Sequence, residues 1–188
     1  MDIHLLERLK DIVRSAGTTV RSAQDAAMGI REKSSHVDLV TLYDPMVQEF
    51  LRSRLMTLLP EAGFLGEEDA THDIAGRRQL FIVDPIDGTT NYFRRRRCSM
   101  ISIGAVENKL PVFGGLYDPY LDEMYLAERG KGATCNGERI RVSDTSLDKA
   151  LIGFGSAPYY EELFSLTGRT VSTLLPKIAD VPVSYTHL

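Results

Sequence analysis

The sequence has no tryptophan and, among its 188 residues, only two cysteines and four histidines. Two thiols, Cys98 and Cys135, are too few for a disulfide framework or a cysteine-rich zinc site. No apolar run reaches the roughly 18 residues needed to cross a bilayer. The amino-terminal stretch MDIHLLERLKDIV carries charges throughout, which does not fit a signal peptide. We therefore expect a cytoplasmic protein that makes no contact with a membrane.

The sequence also lacks a basic excess. Lys and Arg together number 22 against 26 Asp and Glu, for a net charge of −4. Domains that bind nucleic acid tend to be strongly basic, so we expect no nucleic-acid partner. The apolar fraction of 43% and the charged fraction of 26% are ordinary for a globular domain.

Apolar residues at helical spacing predict three helices. The first covers residues from about 3 to 28. The second begins with Asp44 as its N-cap and Pro45 in its first turn, and it ends before Pro60. A third covers residues from about 159 to 178.

Between these helices the pattern changes to short apolar runs bounded by Gly, Pro, Asp or Asn, which predict strands. These runs lie at residues 64–65, 80–83, 100–106 and 112–117. Asn136 and Gly137 both tolerate positive φ, and they predict a hairpin turn. Helices followed by a block of strands indicate α+β layers rather than regular βαβ winding.

Carboxylates follow two of the predicted strands. Glu67 and Glu68 come after the first, and Asp84 and Asp87 come at the end of the next. Pro85 stiffens the turn between the two aspartates, so both can converge on one cation, without which their repulsion would be costly. Since the neighbouring ligands are all oxygen, with no His or Cys, the pattern favours Mg²⁺ or Mn²⁺ over zinc.

The stretch Gly-Thr-Thr-Asn at 88–91 follows these acids, and a helix starting there would present free N–H groups to a phosphate. Metal ligands beside a phosphate site are the layout of metal-assisted phosphoryl transfer to water. Simpler interpretations remain open, because Asp-Pro-Ile-Asp-Gly is also ordinary turn chemistry and paired glutamates are common on surfaces. The four arginines at 94–97 are either a solvated loop or an electropositive rim for phosphate esters.

The segment FIVDPIDGTTNY closely resembles the signature of the inositol monophosphatase family, whose members are Mg²⁺-dependent, lithium-sensitive phosphomonoesterases. Further segments resemble family blocks: KSSHVDLVTLYD, GFLGEE, GGLYDPYLDEMYLAERGKGATCNGERIRVS and GFGSAPYY. The similarity runs from about residue 30 to about residue 180. It implies a layered αβαβα sandwich, shared with fructose-1,6-bisphosphatase, and commonly a homodimer.

The resemblance also implies a role for each matching residue. Glu67 would bind the first metal and contact the attacking water, and Asp84 would bridge two metals. Asp87 would bind the second metal, and Ile86 would contribute only its backbone carbonyl. The remaining matches would act on phosphate and water: Asp87, Gly88 and Thr89 on the phosphate, Thr89 with Asp44 on the attacking water, and Lys33 near the metal site.

The expected function is Mg²⁺-dependent hydrolysis of a small phosphorylated polyol or sugar, with inositol 1-phosphate the favoured substrate, by metal-activated water. Fructose-1,6-bisphosphatase and 3′(2′),5′-bisphosphate nucleotidase activities are alternatives in the same superfamily. A haloacid-dehalogenase phosphatase would use D-x-D-G-T with a nucleophilic aspartate, whereas here two residues separate the aspartates. An inactive fragment or a cation-binding remnant is the non-enzymatic alternative.

The family carries a later W-D-x-A-A-G-type motif, whose aspartate completes the second metal site, and no such motif occurs in these 188 residues. The similarity fades at residues 179–181. We expect residues 1–181 to be the amino-terminal α+β part of such a domain and 182–188 to be a truncated or foreign tail. We also expect this chain by itself to be inactive or nearly so.

Overall fold

The computed structural model describes residues 3–23, 30–32, 39–69, 76–94, 97–153 and 160–181. The chain divides into two compact units. The first is built on Met1–Arg31 and Leu39–Arg141, and the second on Glu32–Asp38 and Val142–Leu188. The proposed tail at 182–188 lies outside the described residues, so the expected domain boundaries stay a prediction.

The described residues up to Arg141 form three helices and nine strands. The helices are α1 (Ile3–Ala23), α2 (Tyr43–Leu58) and α3 (Thr89–Phe93). The strands are β1 (Ile30–Glu32), β2 (Leu39–Thr41), β3 (Gly63–Gly66), β4 (Gln79–Asp87), β5 (Met100–Glu107), β6 (Leu110–Asp118), β7 (Glu123–Glu128), β8 (Gly132–Cys135) and β9 (Glu138–Ile140).

Strands β3 to β9 form one seven-stranded sheet in sequence order. The β3–β4 pair is parallel, and every later pair is antiparallel. Strands β1 and β2 form a separate two-stranded sheet. Because β3 and β4 run in the same direction, the residues that follow β3 lie beside the last part of β4.

The core lies between α1, α2 and the large sheet. α1 packs against α2 and β6, and α2 packs against β3 and β4. The buried side chains recur at helical spacing on the helices and at alternate positions on the strands, as amphipathic elements require. They include Leu9, Val13, Ala16 and Val20 of α1, Val47, Leu51 and Leu55 of α2, Phe81 and Val83 of β4, and Ile101 and Ile103 of β5.

The predicted helices are present, with one correction at the start of α2. The N-cap position is Leu42, which makes no side-chain capping bond, so the prediction of Asp44 as N-cap is wrong. Asp44 lies inside the first turn, and its carboxylate accepts a hydrogen bond from Thr89 instead. The first predicted helix is described as far as Ala23, and its expected extension to residue 28 lies outside the described residues.

The predicted strands and the hairpin are confirmed. The four apolar runs correspond to β3, β4, β5 and β6. Asn136 and Gly137 join β8 to β9 with φ angles of 49° and 88°, the positive values that a tight hairpin turn requires. β7 was absent from the predicted runs, although its sequence Glu-Met-Tyr-Leu-Ala-Glu alternates in polarity over part of its length.

The described part of the second unit is small. It contains helix α4 (Phe164–Leu174), preceded by a 3₁₀ turn at Glu161–Leu163 and followed by another at Leu175–Lys177. These elements lie within the helix predicted for residues 159–178. A parallel bridge joins Leu151 to Asp180, and the Ile152 N–H donates to the Asp180 carbonyl at 3.1 Å.

A mixed sheet with helices packed on it makes the first unit α+β, as expected from the sequence. In the part of the chain that the structure describes, no helix is both long enough and apolar enough to span a membrane.

Candidate active site

The two acidic segments meet where β3 and β4 end. The Glu67 N–H donates to the Val83 carbonyl at 3.0 Å, which extends the parallel pairing one residue beyond β3. Glu67 therefore lies next to Asp84, the residue after Val83. The pairing of β4 with β5 shifts register between Asp84 and Asp87, around Pro85, which has no N–H to donate.

The environment of Asp84 is strongly negative. Its pKa is raised to about 8, first by burial and then by the charge of Glu67, by a hydrogen bond with Glu67 and by the charge of Asp87. The Ile86 N–H, which donates to Asp84 Oδ1 at 3.1 Å, lowers the pKa but does not offset these effects. Crowded carboxylates of this kind favour either a shared proton or a bound cation.

The donor set fits a hard divalent cation. Glu67, Asp84 and Asp87 supply carboxylate oxygens, and the neighbouring backbone supplies carbonyls, which are the ligands that Mg²⁺ takes in proteins. Among the described residues, no three acidic, His or Cys side chains form a ready-made metal cluster. The convergence of all three carboxylates on one cation therefore stays a prediction.

Thr89 and Asp44 are brought together, as the resemblance implied. The Thr89 hydroxyl lies 3.2 Å from Asp44 Oδ1 and 3.1 Å from the Ile86 carbonyl oxygen. Asp44 is only 1% exposed and sits in the first turn of α2. Since a hydroxyl has one proton to donate, Thr89 can pass a proton toward Asp44 while its oxygen accepts another from a water.

The backbone between Ile86 and Thr89 is tightly determined. Gly88 has φ of 86°, and a Cβ there would lie 3.2 Å from the Cys98 carbonyl oxygen, so glycine is required. The Ile86 side chain is 1% exposed and belongs to the core, which leaves its backbone as the part that faces the site. Helix α3 begins at Thr89, as expected, and its first N–H groups lack partners within the helix.

Three residues around Glu67 were not predicted from the sequence. Gln48, Arg52 and Asp69 form hydrogen bonds that fix the turn after β3. The available signal was Gln48, a polar residue four positions after Asp44 on a face of α2 that is otherwise formed by Val47, Leu51 and Leu55. Lys33 lies outside the described residues, as do two of the four arginines at 94–97, so the role of Lys33 and the electropositive rim remain predictions.

The fold agrees with solved structures that include an IMPase. The structure of the Thermotoga maritima IMPase has a TM-score of 0.83 and 28% identity, covering 94% of this chain and 66% of that one. The extragenic suppressor protein suhB from Bartonella henselae has a TM-score of 0.85 at 24% identity, covering 95% of this chain and 69% of its own. These matches confirm the expected layered α+β fold.

The sequence comparisons identify the family. The sequence profile of the inositol monophosphatase family matches residues 4–173, and the chain belongs to that family. It is 36% identical over 181 residues to inositol monophosphatase 1 of Rattus norvegicus and of Homo sapiens, covering 92% of this chain. The chain spans 62% of the length of those two relatives.

Proposed function

We propose that the protein hydrolyses a phosphate monoester with Mg²⁺ as its cofactor, and that inositol 1-phosphate is its substrate. Family membership supports this proposal, and one structural observation carries it. The hydroxyl of Thr89 lies within hydrogen-bond reach of buried Asp44, directly after a strand end where Glu67 and Asp84 share a negative environment. A proton acceptor therefore adjoins a site suited to a cation.

The carboxylates of Glu67, Asp84 and Asp87 and the carbonyl of Ile86 are the groups that would hold Mg²⁺. When bound, Mg²⁺ supplies charge neutralisation of the phosphate ester and acidifies an attacking water. Asp84, whose carboxyl is influenced by both Glu67 and Asp87, is the residue that would contact more than one cation. A role as a cation ligand would also explain why the half-buried carboxyl group of Asp84 lies beside that of Glu67.

Thr89 and Asp44 would handle the proton of the attacking water. Thr89 would orient the water and accept its proton, while Asp44 takes the proton of the Thr89 hydroxyl. The backbone N–H groups at Gly88 and Thr89, together with Asp87, would hold the phosphate. Because water attacks phosphorus directly, no phosphorylated enzyme forms, in contrast to a haloacid-dehalogenase mechanism.

The test is phosphate release across a Mg²⁺ titration by a version of the protein that spans the whole length of its inositol monophosphatase relatives, called the full-length protein below, with Asp84→Asn as the control for contaminating phosphatases. Inositol 1-phosphate is compared with fructose 1,6-bisphosphate and adenosine 3′,5′-bisphosphate, the substrates of the alternative activities. We expect the highest kcat/KM for inositol 1-phosphate and no phosphorylated protein after acid quenching. Trapping of phosphate on Asp84 would overturn the mechanism, and preference for either other substrate would overturn the assignment.

Three accompanying predictions concern assembly, location and the activity of the 188-residue chain. We propose that the full-length protein is a homodimer and is cytoplasmic. We also propose that the 188-residue chain binds a cation but has little or no phosphatase activity. The first is tested by light scattering of the purified protein, the second by fractionation of cells, and the third by assay of both lengths in parallel.

A further inference from the structure

The turn that carries Glu67 is held by a helix side chain. Gln48 of α2 accepts a hydrogen bond from the Glu68 N–H at 2.9 Å through Oε1, and it donates from Nε2 to Asp69 Oδ1 at 3.0 Å. The other Asp69 oxygen accepts from the Gly66 N–H at 3.0 Å. The residues on both sides of Glu67 are thus fixed by side chains, although Glu67 itself is exposed.

The contact between Gln48 and the strand is close. Gln48 is 5% exposed, and both ends of its amide are used. A Cβ added at Gly66 would lie 2.3 Å from the Gln48 side chain, so that side chain rests directly on the backbone of β3. Buried amides that are fully hydrogen-bonded have few alternative positions, because any movement leaves polar groups unsatisfied.

Arg52 completes the arrangement from the next turn of α2. Its guanidinium pairs with Asp69, stacks 4.2 Å above the centre of the Phe64 ring and lies 3.3 Å from Glu49. Asp69 is therefore an anion with a fixed counter-charge, and Arg52 is oriented by an aromatic ring of β3. Helix α2 thus contacts the turn after β3 through two side chains that lie one helical turn apart.

We propose that Gln48, Asp69 and Arg52 are positioning residues that hold the Glu67 backbone so that its carboxylate points to Asp84, and that they thereby set the affinity for the divalent cation. The inference rests on the proposed function, since it concerns the same site. Because Glu67 is exposed, an unrestrained turn would let its carboxylate rotate away from Asp84 into solvent. Residues behind a ligand typically contribute about 10–100-fold to metal affinity.

The experiment measures Mn²⁺ binding to the full-length protein by calorimetry without substrate, so catalytic activity is not the readout. Gln48→Met keeps the side-chain length but removes both hydrogen bonds, and we expect Mn²⁺ to bind about 10–100-fold more weakly. Glu49→Gln is the matched control, because it removes the charge of an exposed partner of Arg52 without changing any residue of the turn, and its Mn²⁺ affinity should match that of the wild type. At saturating Mg²⁺, Gln48→Met should keep the wild-type KM.

Arg52→Met provides a second test if Gln48→Met does not fold, since Arg52 is on the helix surface with a 30% exposed side chain. It should weaken Mn²⁺ binding in the same direction by a smaller factor. Wild-type Mn²⁺ affinity in both folded variants, with only a lower Tm, would overturn the positioning role alone. Asp84→Asn separates the two proposals, because unchanged Mn²⁺ binding in that variant would overturn the cation site and this inference together.

Discussion

The Thr89 hydroxyl holds one proton and has two acceptors, Asp44 and the Ile86 carbonyl. Thr89→Ala removes the hydroxyl while leaving every carboxylate of the site in place. We expect kcat of the full-length protein to fall about 10²–10⁴-fold, as for the loss of one proton-transfer contact. Mn²⁺ affinity should stay within about threefold of wild type, since Thr89 is not expected to hold the cation with its side chain.

Asp44→Asn tests whether the two residues act as a unit. It should lower kcat to a similar extent, and the double variant should lose much less than the product of the two single effects. Thr89→Ser, which restores the hydroxyl, is the rescue. Fully multiplicative losses in the double variant would show that Thr89 and Asp44 do not share one proton path.

The raised pKa of Asp84 predicts how pH affects the stability of the metal-free protein. Its folded-state pKa is raised to about 8, so this group contributes stability at low pH that is lost as pH rises through that value. A bound cation offsets this loss of stability, because it favours the ionised carboxylate of Asp84. We therefore expect the rise in Tm on adding Mg²⁺ to be larger at a pH of about 9 than at about 6.

The control for this effect is Asp84→Asn, which cannot titrate. Its Tm without Mg²⁺ should change less between the same two pH values, and Mg²⁺ should raise it little at either. An equal Mg²⁺-induced shift in wild type at both pH values would contradict the assignment of Asp84 as a cation ligand.

At the scale of elements, the docking of α2 on β3 determines the direction of the turn that follows. Gly66→Ala would place a methyl group 2.3 Å from the Gln48 side chain, so the helix or the strand must shift. We expect a loss of about 1–3 kcal/mol in the free energy of unfolding, the usual cost of overpacking. The loss should be accompanied by weaker Mn²⁺ binding, and denaturant unfolding with calorimetry measures both.

Gly114→Ala in β6 is the matched strand control, because a Cβ there meets nothing within 4 Å. Its free energy of unfolding and its Mn²⁺ affinity should stay close to those of wild type. If Gly66→Ala behaved like Gly114→Ala in both measurements, the close contact between Gln48 and β3 would not exist in solution.

The elements differ in how far the sequence predicts them. The hairpin at Asn136 and Gly137 and the apolar run of β4 follow from local rules, since turn conformations and strand alternation are properties of neighbouring residues. The start of α2 does not follow from local rules, because Asp44 forms a hydrogen bond with Thr89, which is 45 residues away. A capping pattern describes only local options, and here a long-range partner determines where the carboxylate points.

In the candidate site, too, some features follow from neighbouring residues and others depend on distant segments. Asp84 and Asp87 are recognisable from their spacing around Pro85. Their proximity to Glu67 depends on β3 pairing in parallel with β4, which no local pattern states. The hydrogen bond that Gln48 makes to the turn depends on the packing of α2 on the β3–β4 pair, which local sequence does not indicate. The sequence therefore indicates the candidate ligands, whereas the residues that orient Glu67 are found only from the packing.

At the scale of the whole molecule, the large sheet retains exposed apolar side chains. Ile82 of β4 is 41% exposed and Leu116 of β6 is 40% exposed. Apolar surface on the middle strands of a sheet is ordinarily covered, and contiguous patches promote association. We expect the 188-residue chain to self-associate as its concentration rises, measurable by light scattering, whereas Leu116→Lys should reduce that association without changing the fold.

The last prediction concerns the number of cation ligands. In the part of the chain that the structure describes, the candidate ligands are three carboxylates and the Ile86 carbonyl, whereas each Mg²⁺ takes about six oxygens, some of them from water. Two-metal hydrolysis needs charge at both the attacking and the leaving oxygen. We expect the 188-residue chain to bind Mn²⁺ in an Asp84-dependent manner but to release little or no phosphate from inositol 1-phosphate, whereas the full-length protein should turn over. Both lengths are assayed across the same Mg²⁺ titration, each beside its Asp84→Asn variant. Rapid, Asp84-dependent turnover by the shorter chain would show that these ligands alone complete the site.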